Sequence, residues 1–254
     1  RFLREAQTAG SIKSPNVVDV IDVGQCRSTN AAFMAMELLD GEDLAKHIEE
    51  RGALAPDLVV RIAVQALVGL CAAHAEGVVH RDIKPPNLFL ARTGGGQRTL
   101  KVLDFGIAKL LGENDLERAK LTVTGSILGS PWYMSPEQAA GVADIDHRTD
   151  LWSLGAVLYE ALSGVTPYHG VTTLQQLLRQ ICDGPPKPLL ERAPAVPPAL
   201  AATVTKAMAH NQADRYQSAA EMLAVVTALV DGAPVITEAM LGAGDARALT
   251  APGG

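Results

Sequence analysis

Apolar and polar positions alternate over short stretches near the start of this chain and recur at helical spacing further on. Residues 1–10 place Phe2, Leu3, Ala6 and Ala9 on one helical face, and Ser14-Pro15-Asn16 breaks that pattern. Val17 to Gly24 is rich in β-branched residues and predicts a strand. Ala31 to Glu37 predicts a second, with Arg27-Ser28-Thr29-Asn30 as the turn between them. From Leu44 the period becomes helical. Leu58 to Ala75 carries Ile62, Ala66, Leu70 and Ala73 at helical spacing and is apolar nearly all round, which predicts a helix in the core of a helical lobe. Gly94-Gly95-Gly96 lies between two short apolar runs and predicts a hairpin turn, because glycine supplies positive φ there. Further helices are predicted over Asp150 to Leu162, Leu174 to Cys182, Pro198 to Met208 and Tyr216 to Val230. Beyond Asp231 the periodicity fades into Gly, Ala and Pro, which predicts a flexible tail or linker.

Composition narrows the classes. With 254 residues, 48% of them hydrophobic and 20% charged, the chain can bury the core of one large domain or two modest lobes. Its net charge of −6 and lack of a long basic run exclude nucleic acid as the main partner. Cys26, Cys71 and Cys182 are odd in number and far apart, so a reducing, cytoplasmic setting is expected rather than a disulfide framework. No apolar run reaches the ~18 residues that span a bilayer, so no membrane segment is expected within the chain. The first residue is Arg1, and the chain reads as a fragment whose parent could carry an anchor elsewhere.

The chemistry concentrates in His80-Arg81-Asp82-Ile83-Lys84-Pro85-Pro86-Asn87, followed by Asp104-Phe105-Gly106. Together these supply a carboxylate, a lysine and two oxygen ligands for a hard cation within 25 residues. Phosphoryl transfer to an alcohol needs such groups: one orients the hydroxyl, and the others hold Mg²⁺ on the phosphates. The pairing resembles the catalytic and magnesium loops of the eukaryotic-type bacterial serine/threonine protein kinases.

That resemblance implies an α+β, bilobal protein-kinase-like fold. Residues 1–40 would be the remnant of the small lobe and hinge, 41–231 the mainly helical large lobe, and 232–254 the tail. It implies ATP and Mg²⁺ (or Mn²⁺) as cofactors and Ser/Thr side chains of proteins as substrates. Asp82 would accept or orient the hydroxyl proton, and Lys84 would stabilise the transferring phosphoryl group. Lysine at that position marks the serine/threonine branch. Asn87 and Asp104 would ligate the metal. Met36-Glu37-Leu38-Leu39 matches gatekeeper and hinge, where the backbone of Glu37 and Leu39 would bond adenine; Phe89 would floor the pocket. The carbonyl of Pro86, a departure from the family's usual residue, would approach the ribose. Regulation would rest on Arg81, facing phosphorylated Thr122 and Thr124, with self-association allowing phosphorylation in trans. Ser130 would contact Asp82 and Lys84. His80 would pack against Phe105, Glu137 would pair with Arg215, and Asp150 would anchor the catalytic loop, all as structural residues.

Glu5 matches the helix glutamate that pairs with the ATP-binding lysine. The Gly-rich loop and strand lysine that precede this helix in the family are not in the sequence, so weak ATP binding is expected of this polypeptide. Two other readings fit parts of the pattern: a non-catalytic scaffold, against which the intact Asp82, Lys84, Asn87 and Asp104 argue, and a small-molecule phosphotransferase. Thr122-Val123-Thr124 and Ser135-Pro136-Glu137 argue against the latter, because such segments serve peptide docking and regulation.

Overall fold

A computed structural model describes residues 10–29, 31–104 and 130–242. It opens on an antiparallel hairpin, β1 (Val20–Gln25) and β2 (Ala32–Met36), with Gly24 opposite Phe33. The first strand starts later than the run of β-branched residues suggests. Asn16 to Val18 is instead bonded to a distant strand: Val102 N–H donates to Asn16 O at 2.8 Å and Val18 N–H to Val102 O at 3.0 Å.

A short strand β3 (Gly41–Asp43) leads into α1 (Leu44–Arg51), capped by the Asp43 carboxylate on Lys46 N–H. Helix α2 (Pro56–Ala75) follows, with proline at its first turn where the missing N–H costs nothing. By length and composition α2 could cross a membrane, contrary to the expectation that no segment would. Within the fold, 67% of its most apolar window is buried. Gly69 lets the helix approach the Asn16 backbone closely: a Cβ there would lie 2.8 Å from Asn16 O.

After α2 come a 3₁₀ turn (Pro85–Asn87) and the hairpin β4 (Leu88–Thr93) and β5 (Gln97–Val102). The turn is Gly94 to Gly96, with Gly95 and Gly96 at φ +76° and +71°, as the glycine triplet predicts. Strand β3 pairs with the other side of β4, Glu42 facing Leu90. Gly41 is required at that crossing, since a Cβ would meet Leu90 O at 2.3 Å.

The helical lobe is completed by α3 (Pro136–Ala139), α4 (Arg148–Ser163), α5 (Leu174–Asp183), α6 (Leu189–Arg192), α7 (Pro198–Ala207) and α8 (Ala219–Thr227). Helices α2 and α4 run through its centre, where Ile62, Leu67, Leu70, Leu151, Trp152 and Leu158 are fully enclosed. The last of these helices is shorter than its predicted span from Tyr216 to Val230. Ser218 caps it by accepting Glu221 N–H at 3.1 Å, so Tyr216 and Gln217 stay outside.

The expected flexible tail is partly overturned. Residues 236–237 form β6 (Ile236–Thr237), a fourth strand on β5, followed by α9 (Glu238–Gly242). Ile236 and Leu241 are buried in the main core. The apolar content of this stretch is too sparse for a visible period, yet two of its side chains reach the core.

Candidate active site

Asp82, Lys84 and Asn87 converge on one carboxylate oxygen. Lys84 Nζ lies 2.8 Å from Asp82 Oδ2, and Asn87 Nδ2 donates to the same oxygen at 3.3 Å and to Asp82 O at 2.8 Å. The proline-led 3₁₀ turn makes this possible by folding Asn87 back toward Asp82. With its NH₂ spent on Asp82, the Asn87 amide has its oxygen left for a cation.

Asp104 is brought to this loop through Leu103, whose backbone is held from both sides. Leu103 N–H donates to Asn87 O at 2.9 Å, and His80 Nε2 lies 2.7 Å from Leu103 O. His80 Nδ1 accepts Asp82 N–H at 3.2 Å, which fixes the proton on Nε2. Fully buried His80 therefore ties the Asp82 loop to Leu103, which follows β5 and precedes Asp104. Among the described residues Arg81 and Asp104 are the two non-glycine positions with positive φ, +63° and +49°. Such strain collects where backbone direction matters to a site.

Asp150 holds the strained loop in place. Its Oδ1 accepts Arg81 N–H at 2.7 Å, and its Oδ2 accepts His80 N–H at 2.9 Å and faces His74 Nε2 at 2.8 Å. Gln138 adds a bond from its side-chain NH₂ to Arg81 O at 2.8 Å.

A family model described as the protein kinase domain matches residues 1–225. The chain belongs to the protein kinase domain family. It is 39% identical over 220 residues to the serine/threonine-protein kinase pkn3 of Myxococcus xanthus, covering 86% of this chain and 40% of that protein. It is 36% identical over 255 residues to the serine/threonine-protein kinase PknB of Mycolicibacterium smegmatis, covering 99% of this chain and 39% of that one. The chain thus spans about two fifths of the length of these curated relatives. Among solved structures it is similar to the PknI kinase domain of Mycobacterium tuberculosis. The TM-score is 0.67 at 26% identity, with 90% of this chain and 77% of that one covered.

The other residues expected at a kinase site are distributed as follows. At the segment expected to be the hinge, Glu37 N–H donates to Asp19 O at 2.9 Å, so of its backbone the carbonyl is the group that could meet a ligand. Leu39 is half-buried, Leu38 fully exposed, and Phe89 half-buried on β4. Pro86 is exposed at the centre of the 3₁₀ turn. Glu137 meets Arg215 in two parallel bonds of 2.8 Å with both residues buried. Burial raises the Glu137 pKa, but the guanidinium outweighs it and holds the carboxyl below its ordinary value. Arg215 also lies over the Trp152 ring, 4.9 Å from its centroid. Ser130 opens the 3₁₀ turn Ser130–Tyr133. Glu5, Phe105, Thr122 and Thr124 lie outside the described residues.

Three contributors escaped the sequence reading. His74 is the polar residue near the end of an apolar helix, and its position was the available signal. Lys101 lies 2.7 Å from Glu37 Oε1, and its bond lowers the Glu37 pKa against the opposing effect of burial. Tyr133 O–H donates to Glu160 at 2.6 Å, and Ser153 O–H to Tyr133 O at 2.8 Å, pinning the segment before Ser135 to α4. Burial pushes the Glu160 pKa up. None of these pairings has a local sequence signature.

Proposed function

We propose that this chain is part of the catalytic domain of an ATP-dependent protein serine/threonine kinase, with residues 1–40 as the remnant of the small lobe and hinge and 41–231 as the large lobe. The observation that supports this reading is the joint hold by His80 and Asn87 on the backbone of Leu103, the residue before Asp104, together with the Asp82–Lys84–Asn87 cluster. Asp82 orients the attacking hydroxyl and receives its proton, and Lys84 balances charge on the phosphoryl group in flight. Asn87 and Asp104 offer a neutral and an anionic oxygen, a donor set that suits Mg²⁺ or Mn²⁺ completed by water and phosphate. Bound there, the cation would neutralise charge on the ATP phosphates. Glu37 and Leu39 would hold adenine by backbone, with Phe89 as the floor of the pocket and the Pro86 carbonyl toward the ribose. Phosphates on Thr122 and Thr124, added in trans within a self-associated pair, find a cationic partner in Arg81. The three free thiols suit a cytoplasmic setting.

The test is transfer of labelled γ-phosphate from ATP to a protein substrate by the full-length protein, followed by phosphoamino-acid analysis. Label on serine and threonine that falls about 10²–10⁴-fold in Asp82→Asn supports the reading. Transfer unaffected by Asp82→Asn, or label confined to a small metabolite, overturns it.

A further inference from the structure

The family match ends at residue 225, yet the segment 231–242 is fastened to the hairpin that carries the candidate metal ligands. Arg61 on α2 donates to the carbonyls of Asp231 (3.1 Å), Ala233 and Val235 (3.2 Å). Gln65, one helical turn later, donates to Pro234 O at 2.8 Å. Arg98 on β5 is 5% exposed. It forks onto both Glu238 oxygens at 2.8 and 2.9 Å and donates to Leu90 O on β4 at 2.9 Å. One guanidinium therefore joins β4, β5 and the segment beyond β6. Glu238 N–H closes the arrangement on Gly96 O at 3.0 Å.

The outer edge of β5 shows what this fastening does. A strand edge left open frays, because its N–H and C=O groups turn to water. Here β6 covers positions 97 and 98. Next along, the Gln65 side chain accepts Leu100 N–H at 2.8 Å, and Asn16 Nδ2 donates to Leu100 O at 2.9 Å. Asn16 O then accepts Val102 N–H at 2.8 Å. The edge is satisfied without a break until Leu103, which the Asp82 loop holds, and Asp104 follows. Gln65 sits at the junction, with one end on Pro234 and the other on Leu100.

We propose that residues 231–242 act as a strap that positions Asn87 and Asp104 through the β4–β5 hairpin, with Glu238, Arg98 and Gln65 as its positioning residues. The proposal rests on the reading of Asn87 and Asp104 as metal ligands. Releasing the strap opens β5 from its turn toward its catalytic end and loosens the hold on Leu103. The chain that leaves the kinase domain at this point is thereby coupled to the geometry of the cation site.

Amide hydrogen exchange on the full-length protein, without nucleotide or metal, tests the coupling. Glu238→Gln should raise exchange severalfold at positions 97–98 and also at 100–103, while α4 stays protected; Lys206→Gln, which breaks an exposed pair with Glu221 away from this hairpin, should leave 97–103 unchanged. A rise confined to 97–98, no rise, or a uniform rise through α4 overturns the proposal. Mn²⁺ binding followed by electron paramagnetic resonance gives the second readout. Glu238→Gln should weaken it severalfold, and unchanged Mn²⁺ affinity overturns the positioning role. If Asp104→Asn binds Mn²⁺ as the parent does, the metal reading fails instead, and the exchange result stands apart from it.

Discussion

The Asp150 carboxylate accepts the backbone N–H of Arg81 at 2.7 Å, and Arg81 is held at φ +63°. A left-handed backbone costs a β-carbon-bearing residue roughly 1–2 kcal/mol. The bond from a fully buried carboxylate, together with the one to His80 N–H, offsets that cost and makes the conformation stable. Asp150→Ala removes the acceptor for both amides and for His74. It should cost about 3–5 kcal/mol in a urea titration, because buried donors are left unpaired.

Lys84→Ala should separate chemistry from stability. The side chain is partly exposed and its pair with Asp82 is short, so loss of this pair should barely move the melting temperature. Turnover should fall about 10²–10³-fold, since the proposed mechanism sets the lysine where charge develops in transfer. Steady-state kinetics on the full-length protein beside a thermal melt would check both halves.

Arg215→Ala leaves the Glu137 carboxylate buried without a partner and should destabilise by about 3–5 kcal/mol. The double replacement Glu137→Gln, Arg215→Met should recover part of that loss, because no uncompensated charge remains. A double-mutant cycle by urea unfolding reads the coupling.

Acid should weaken the fold in two stages. His47 is buried with neither ring nitrogen hydrogen-bonded, and burial holds its pKa below the ordinary 6.5 despite nearby Glu42. The unfolded chain then binds more protons below about pH 6.5, so stability falls as pH drops through that value. Glu137, held below the ordinary 4.5, contributes stability that is present above that value and lost further down. His47→Leu should flatten the stability profile between about pH 7 and pH 5 while leaving the lower limb in place. Urea midpoints across this range test it.

Gly69→Ala should be felt at a distance. The new methyl would press on Asn16 O, the acceptor for Val102 N–H, at 2.8 Å. Backbone cannot give way as a flexible side chain can, so a loss of about 1–3 kcal/mol is expected by calorimetry.

Much of this was legible in the sequence, for a physical reason in each case. Helix α2 announces itself because its apolar period is long and local. The Asp82 loop and Asp104 are legible because their spacing is short and their chemistry constrained. The strap was not, since β6 exists only through partners about 140 residues earlier, as the Arg98–Glu238 pair shows. The same holds for Lys101 and Glu37, and for Gln65, whose amide reads as an interruption of an apolar helix. In the fold its amide reaches Asn16, Leu100 and Pro234 together.

The paired strands β4 and β5 also act as a ruler. Their register runs from Leu88 opposite Val102 to Thr93 opposite Gln97, with Asn87 and Asp104 just beyond the first pair. Slipping by one residue would turn every side chain to the opposite face and carry Asp104 away from the loop. Only the turn can absorb a change of length, and Gly94 and Gly95 have open space around them ahead of the Gly96 carbonyl that Glu238 occupies. Insertions and deletions among kin of this chain should therefore gather at those two glycines, where a peptide tag could also be grafted without moving the catalytic end.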